Sequence, residues 1–141
     1  MNLASTMLFA VAMTATSGAA PRPESVVLAM FGAFNRHDAD GLAHLYASDA
    51  QLASSDFCHP RRGRPEVGRT YRELFAEFPD IHDEIEQMVA QDDRVAVRFV
   101  ARSSEGARSL NLPISTFLVV RQGEIRSDVS TFDTGGRPCT H

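Results

Sequence analysis

Lysine is absent: all fourteen basic residues of the chain are arginines. That excludes a Schiff base to lysine and any lysine nucleophile or base. Tryptophan is absent as well, tyrosine occurs twice, and the only cysteines are Cys58 and Cys139. Nor is there an excess of positive charge. The formal net charge is −4, which removes any global pull toward nucleic acid or an anionic membrane. No internal repeat or low-complexity block divides the 141 residues, which suffice for one domain around one core. The hydrophobic fraction, 43%, is that of an ordinary globule.

The first twenty residues, MNLASTMLFAVAMTATSGAA, lack charge altogether. Leu3 to Met13 is mostly apolar, small residues follow to Ala20, and Pro21-Arg22-Pro23 breaks any helix. The pattern predicts a signal peptide over residues 1–20, cleaved after Ala19 or Ala20, and a mature domain over 21–141 in the periplasm or outside the cell. The n-region has no Lys or Arg, so a disordered apolar tail or a mis-assigned start is the alternative reading. Thr, Ser and Gly interrupt a run already short for a membrane span.

Export decides how the cysteines read. In an oxidising compartment Cys58 and Cys139 form a disulfide closing a loop of about 80 residues, worth about 4 kcal/mol by chain entropy. In the cytosol both are free thiols. Two other readings carry less weight. Cys58-His59 with Cys139-x-His141 offers zinc-type ligands at unusual spacing, and Cys58 beside His59 offers a nucleophile whose neighbour points elsewhere.

ESVVLAMFGAFNRHD repeats its apolar residues at helical spacing, with Val27, Met30, Phe31 and Phe34 on one face. Asp38 or Asp40 can cap a short second helix, ADGLAHLYASD. AQLAS is a strand candidate running into SSDFCHPRRGR. A third helix begins near Pro65, carries Val67, Tyr71, Leu74, Phe75 and Phe78 on one face, and ends at Pro79. From Ile81 the period becomes 2. DIHDEIEQMVAQ, RVAVRFVARS, PISTFLVVRQ and EIRSDVSTFD are four strands, with turns at Asp92-Asp93 and Gln122-Gly123. Helices first and meandering strands after imply an α+β domain with an antiparallel sheet.

FNRHDADGLAHLYASDAQL, then YRELFAEFPDIHDEIEQMVAQDDRVAVRFVARS, then QGEIRSDVSTFD, together resemble the SnoaL-like group of the nuclear-transport-factor-2-like superfamily over roughly residues 24–135. The resemblance implies a cone-shaped curved antiparallel sheet with three helices around an apolar pocket. It says less about activity, because this fold hosts isomerases, hydrolases, dehydratases, cyclases and non-catalytic binders. Ketosteroid-isomerase-like members keep an oxyanion-donating tyrosine where this chain has Met30. Their general-base aspartate matches Ser54, two residues short of Asp56. SnoaL-like cyclases keep an aspartate near the end of the last strand, matching Asp133, with Asp128 before it. Their frequent tryptophan in that strand is Val129 here, and Leu118 to Val120 supplies no polar partner.

Asp133 is the leading catalytic candidate: a carboxyl at the wall of an apolar cavity exchanges protons near neutral pH. Its alternative is a turn-forming acid in TFDTGG. Asp128, five residues earlier, falls on the opposite face of a regular strand. Asp56 and His59 form a second acid–base candidate, or a solvent-facing loop. Arg61, Tyr46, Met30 and Phe34 are read as ligand-contacting residues. Arg61, Arg62, Arg64, Arg69 and Arg72 are either an anion clamp at the pocket mouth or a solvated, salt-bridged face. His37, in NRHD, is structural. No cofactor or metal is expected. The expected partner is a small apolar molecule, with a homodimer suggested by analogy. The activity expected is acid–base catalysis of cyclase, isomerase or hydrolase type, or alternatively ligand binding without catalysis.

Overall fold

The computed structural model describes residues 18–106 and 108–141. The signal-peptide expectation for residues 1–20 lies almost wholly outside them. Helix α1 (Pro23–Asn35) starts on a proline and buries Val26, Val27, Met30, Phe31, Ala33 and Phe34, one apolar stripe. A short α2 (Ala39–His44) is capped by Asp38, whose carboxylate accepts from the Gly41 amide at 2.8 Å. Strand β1 (Tyr46–Ser54) begins four residues before AQLAS, because Tyr46, Ala47 and Ala50 are all buried. A two-residue β2 (Arg61–Arg62) leads into α3 (Gly63–Glu77).

Strands β3 (His82–Gln91), β4 (Arg94–Ser103), β5 (Leu110–Arg121) and β6 (Glu124–Thr131) follow as a meander. Gln122 and Gly123 take positive φ of 54° and 77°, the geometry that lets a two-residue hairpin match strand twist. The sheet order is β2-β1-β6-β5-β4-β3. Its pairings are antiparallel except one: β1 runs parallel to β6, because the chain passes from β1 through α3 and the meander before returning.

The three helices cover one face of this open, curved sheet. Val27, Leu42, Tyr46, Val67, Val95, Leu118, Val120 and Ile125 are fully buried between them. Each such aliphatic side chain contributes about 1.5–3 kcal/mol on burial. The core gapes beneath α1, α3 and the C-terminal tail.

The tail is held there. Cys58 and Cys139 are joined in a disulfide with Cα atoms 5.0 Å apart. Phe57 and Thr140 form a β-bridge beside it, with the Cys58 amide donating to the Thr140 carbonyl at 2.9 Å and the Thr140 amide to the Asp56 carbonyl at 2.7 Å. With both sulfurs in one bond, neither is a thiolate for zinc or for nucleophilic attack.

Candidate functional site

A cavity of about 540 Å³ opens where the core gapes. That is the size of a small-molecule pocket. Met30, Phe31 and Phe34 from α1 line it, with Tyr71 and Leu74 from α3 and Phe99, Ile114 and Thr116 from the sheet. Among the carboxylates that line it are Asp83 on β3 and Asp128 on β6.

Asp128 is almost without solvent exposure, at 2%. In register its neighbours are Leu118 on β5 and Leu52 on β1, both buried. An acid between two inward leucines survives only if its oxygens are satisfied. Each has a donor: the Thr116 hydroxyl donates to Oδ1 at 2.5 Å and the Tyr46 hydroxyl to Oδ2 at 2.7 Å. Burial pushes the Asp128 carboxyl above the usual carboxylate range, and the two hydrogen bonds oppose that rise.

Tyr46 is itself fully buried. Its hydroxyl lies 3.4 Å from that of Tyr71 and 3.3 Å from the Met30 sulfur. It has one proton, and the carboxylate is the stronger acceptor, so the donors run Tyr71 to Tyr46 to Asp128. Both tyrosines of the chain are thus spent on one chain of hydrogen bonds. Burial, with the Asp128 charge nearby, raises both phenols well above their ordinary value, so they serve as donors.

Asp83 is placed by α1. The Asn35 side chain donates to the Asp83 carbonyl at 3.0 Å and accepts from the Asp83 amide at 2.7 Å. Asn35 acts as one rung of ladder for the edge strand. In register with the buried Ala101, Asp83 turns inward. Its Oδ1 is buried and has no hydrogen-bond partner among the described residues. Burial, and then the charge of Asp128, pushes the Asp83 carboxyl up to about 8. Of the two acids Asp128 has the donors that favour its charged form, whereas burial without a partner at Oδ1 favours the protonated form of Asp83.

The expected site residues fall differently. Asp133 does not line the cavity. It is exposed, and its Oδ1 accepts from the Gly135 amide at 2.8 Å, closing its own turn. His59 is exposed outside the cavity wall, its ring 5.7 Å from that of His141. Asp56 does reach the rim, where the Ser54 hydroxyl donates to its Oδ1 at 2.6 Å. Met30, Phe34 and Arg61 line the cavity, and Tyr46 stands behind its wall. Of the arginine run, Arg64 pairs with Glu124, Arg69 with Glu66 and Arg72 with Asp40, while Arg61 lies over the Phe57 ring. His37 donates from Nε2 to the Ile81 carbonyl, 2.6 Å away, and its ring stacks on Phe75.

Sequence reasoning passed over Asp83, Tyr71 and Thr116. The signal was phase. Asp83 occupies the inward row that Val95, Val97, Phe99 and Ala101 fill on the neighbouring strand. Among the described residues no cluster of His, Cys, Asp and Glu could hold a metal ion, and no helix is long and apolar enough to cross a membrane.

The sequence profile of the SnoaL-like domain matches residues 27–127. The chain belongs to the SnoaL-like family. No curated protein matches the sequence. Among solved structures, this SnoaL-like domain is similar to IdmH of Streptomyces antibioticus, a proposed polyketide cyclase, at 26% identity and TM-score 0.69, over 82% of this chain and 94% of that one. It shares its fold with a hypothetical protein of ketosteroid-isomerase-like fold from Catenulispora acidiphila, solved with trimethylamine, at 21% identity and TM-score 0.70 over 77% and 85% of the two chains. It also shares the fold of AclR from Streptomyces galilaeus, a proposed hydroxylase, at 18% identity and TM-score 0.67 over 79% and 88%.

Proposed function

We propose that this SnoaL-like domain takes a small, largely apolar molecule into the cavity and moves protons on it by general acid–base catalysis. Asp128 is the base and protonated Asp83 the acid. The base takes a proton from a carbon or oxygen of the substrate, and the acid gives one to a substrate oxygen, as in a cyclisation, isomerisation or hydrolysis. The observation that carries this reading is the partnerless, buried Oδ1 of Asp83 in a cavity wall shared with Asp128. A pair of acids whose surroundings separate their proton affinities supplies both halves of such chemistry. The likeness to IdmH, itself a proposed cyclase, supports the same class.

The test begins with native mass spectrometry of unreduced protein from its own host, to identify a retained molecule. Turnover of that molecule is then compared in wild type, Asp83→Asn and Asp128→Asn. A loss of about 10²–10⁴-fold in each variant is expected. Unchanged turnover in either variant overturns the assignment of that residue. A second reading is ligand binding without chemistry. It is favoured by the fact that both oxygens of Asp128 are already engaged by protein donors. Under it the retained molecule is recovered unaltered from wild type.

The disulfide and the charge-free leader support export to the periplasm or beyond. A homodimer through the outer sheet face is supported by an apolar row there. Val89, Ala96, Phe117, Val129 and Ala53 are consecutive register partners across five strands. Phe117 is 65% exposed and Val89 58%. Arg98–Glu86, Arg102–Glu84 and Arg121–Asp93 ion pairs lie on the adjoining strands. The row bisects the sheet, so a second copy related by a two-fold axis presents the same row to it.

A further inference from the structure

The cavity mouth has arginines on two sides, and their partners differ. On the α3 side Arg69 is bound to Glu66 and Glu73, and Arg108, from the loop before β5, to Glu77. On the other side are Arg61, at β2, and Arg137, on the C-terminal tail, both lining the cavity. Neither has a carboxylate partner among the described residues. Seventy-six positions apart in sequence, they share this side because the Cys58–Cys139 disulfide and the Phe57–Thr140 bridge dock the tail beside β2. The Arg61 guanidinium lies over the Phe57 ring, 4.8 Å from its centroid, and donates to the Thr140 hydroxyl at 3.5 Å. Stacking holds the plane of the guanidinium without using up its donor edge. The acid on this side, Asp56, is engaged by the Ser54 hydroxyl.

We propose that Arg61 and Arg137 form a subsite for the carboxylate end of an otherwise apolar ligand, whose body fills the cavity toward Tyr71 and Asp128. This rests on the cavity being a ligand pocket, and it adds the class of ligand. Two guanidinium groups without carboxylate partners among the described residues favour a molecule with one anionic end over a neutral one of the same body. The disulfide then positions half of the subsite, because Arg137 belongs to the tail that it ties down.

The experiment uses the oxidised full chain and the neutral fluorophore N-phenyl-1-naphthylamine. The bound dye is displaced with decanoate or with decanol, which share their chain length and differ at one end. Wild type is expected to bind decanoate about tenfold more tightly than decanol. In Arg61→Ala/Arg137→Ala that ratio falls to about one, decanoate and decanol each being compared at that variant's own dye affinity. Equal displacement by the two in wild type overturns the subsite, and so does a preference that survives in the double variant. If the dye binds and no preference appears, the pocket stands and only the subsite falls. If no dye binds to wild type, both fall. Should the double variant fail to fold, Arg137→Glu alone, at an exposed position, reads the same ratio.

Discussion

The Tyr46 hydroxyl donates to the Asp128 carboxylate at 2.7 Å across 82 positions of sequence, and both residues are buried. One bond therefore fastens the first strand of the sheet to the last and holds the base candidate. Tyr46→Phe keeps the ring and removes the donor. The expected cost is about 1–3 kcal/mol, because one carboxylate oxygen is left unpaired inside the core. The Asp128 carboxyl also rises further, since the lost hydrogen bond stabilised its charged form. Urea melts and a carboxyl-carbon NMR titration of wild type and variant check both effects. An unchanged melt together with an unchanged titration contradicts the account of this bond.

Asp83 gives stability a pH dependence of definite sign. Its carboxyl is raised in the folded state to about 8 from its ordinary 3.8. Between these values the folded chain holds a proton that the unfolded chain has released. Stability from this group is complete below the unfolded value and is lost as pH rises through the folded one. Asp83→Asn, which cannot ionise, removes that slope. Wild type and variant should differ least near pH 4 and most above pH 8, the variant being the more stable there. Thermal melts across the range decide it, and parallel curves would show that Asp83 ionises as an ordinary surface acid.

Much of this architecture is legible in sequence. Apolar spacing in ESVVLAMFGAFN gives α1, and the switch to alternation near Ile81 marks the start of the meander. The parallel pairing of β1 with β6 is not, because partners far apart in sequence leave no local pattern. The acids show the same division. Asp133 and Asp128 sit close together in EIRSDVSTFD, yet one closes an exposed turn and the other enters the core. Strand phase separates them, but it does not say which face is inside until Leu118 and Leu52 flank Asp128. Asp83 lies among the acids of HDEIE, and Asn35 and the inward row of β4 distinguish it only in three dimensions.

The outer sheet face offers a direct test of assembly. Phe117 is at the centre of the exposed row, between Ala96 and Val129. Phe117→Glu puts a charge there and, if copies pair through this face, faces it with its own symmetry mate. The chain is then expected to shift from dimer to monomer in analytical ultracentrifugation. Its melt should change little at concentrations where wild type is already monomeric, because the ring is largely exposed within one chain. A wild-type chain that is monomeric at high concentration contradicts the proposed dimer.

The disulfide does two separable things, and Cys58→Ser/Cys139→Ser distinguishes them. It closes a long loop, so its loss should lower stability by about 2–4 kcal/mol. It also holds the tail at the mouth, where the remaining Phe57–Thr140 bridge has only two backbone hydrogen bonds. Those bonds lie at an exposed edge and should open readily once the covalent link is gone. Amide exchange at position 58 and at Thr140 is therefore expected to accelerate far more than exchange in β4 and β5. The neutral dye should bind as before, because Tyr71, Phe99 and Ile114 belong to the body of the cone. The preference for decanoate should weaken, because Arg137 leaves with the tail. Uniform acceleration throughout the sheet would mean that the disulfide serves global stability alone, and a preserved decanoate preference would detach the tail from ligand recognition.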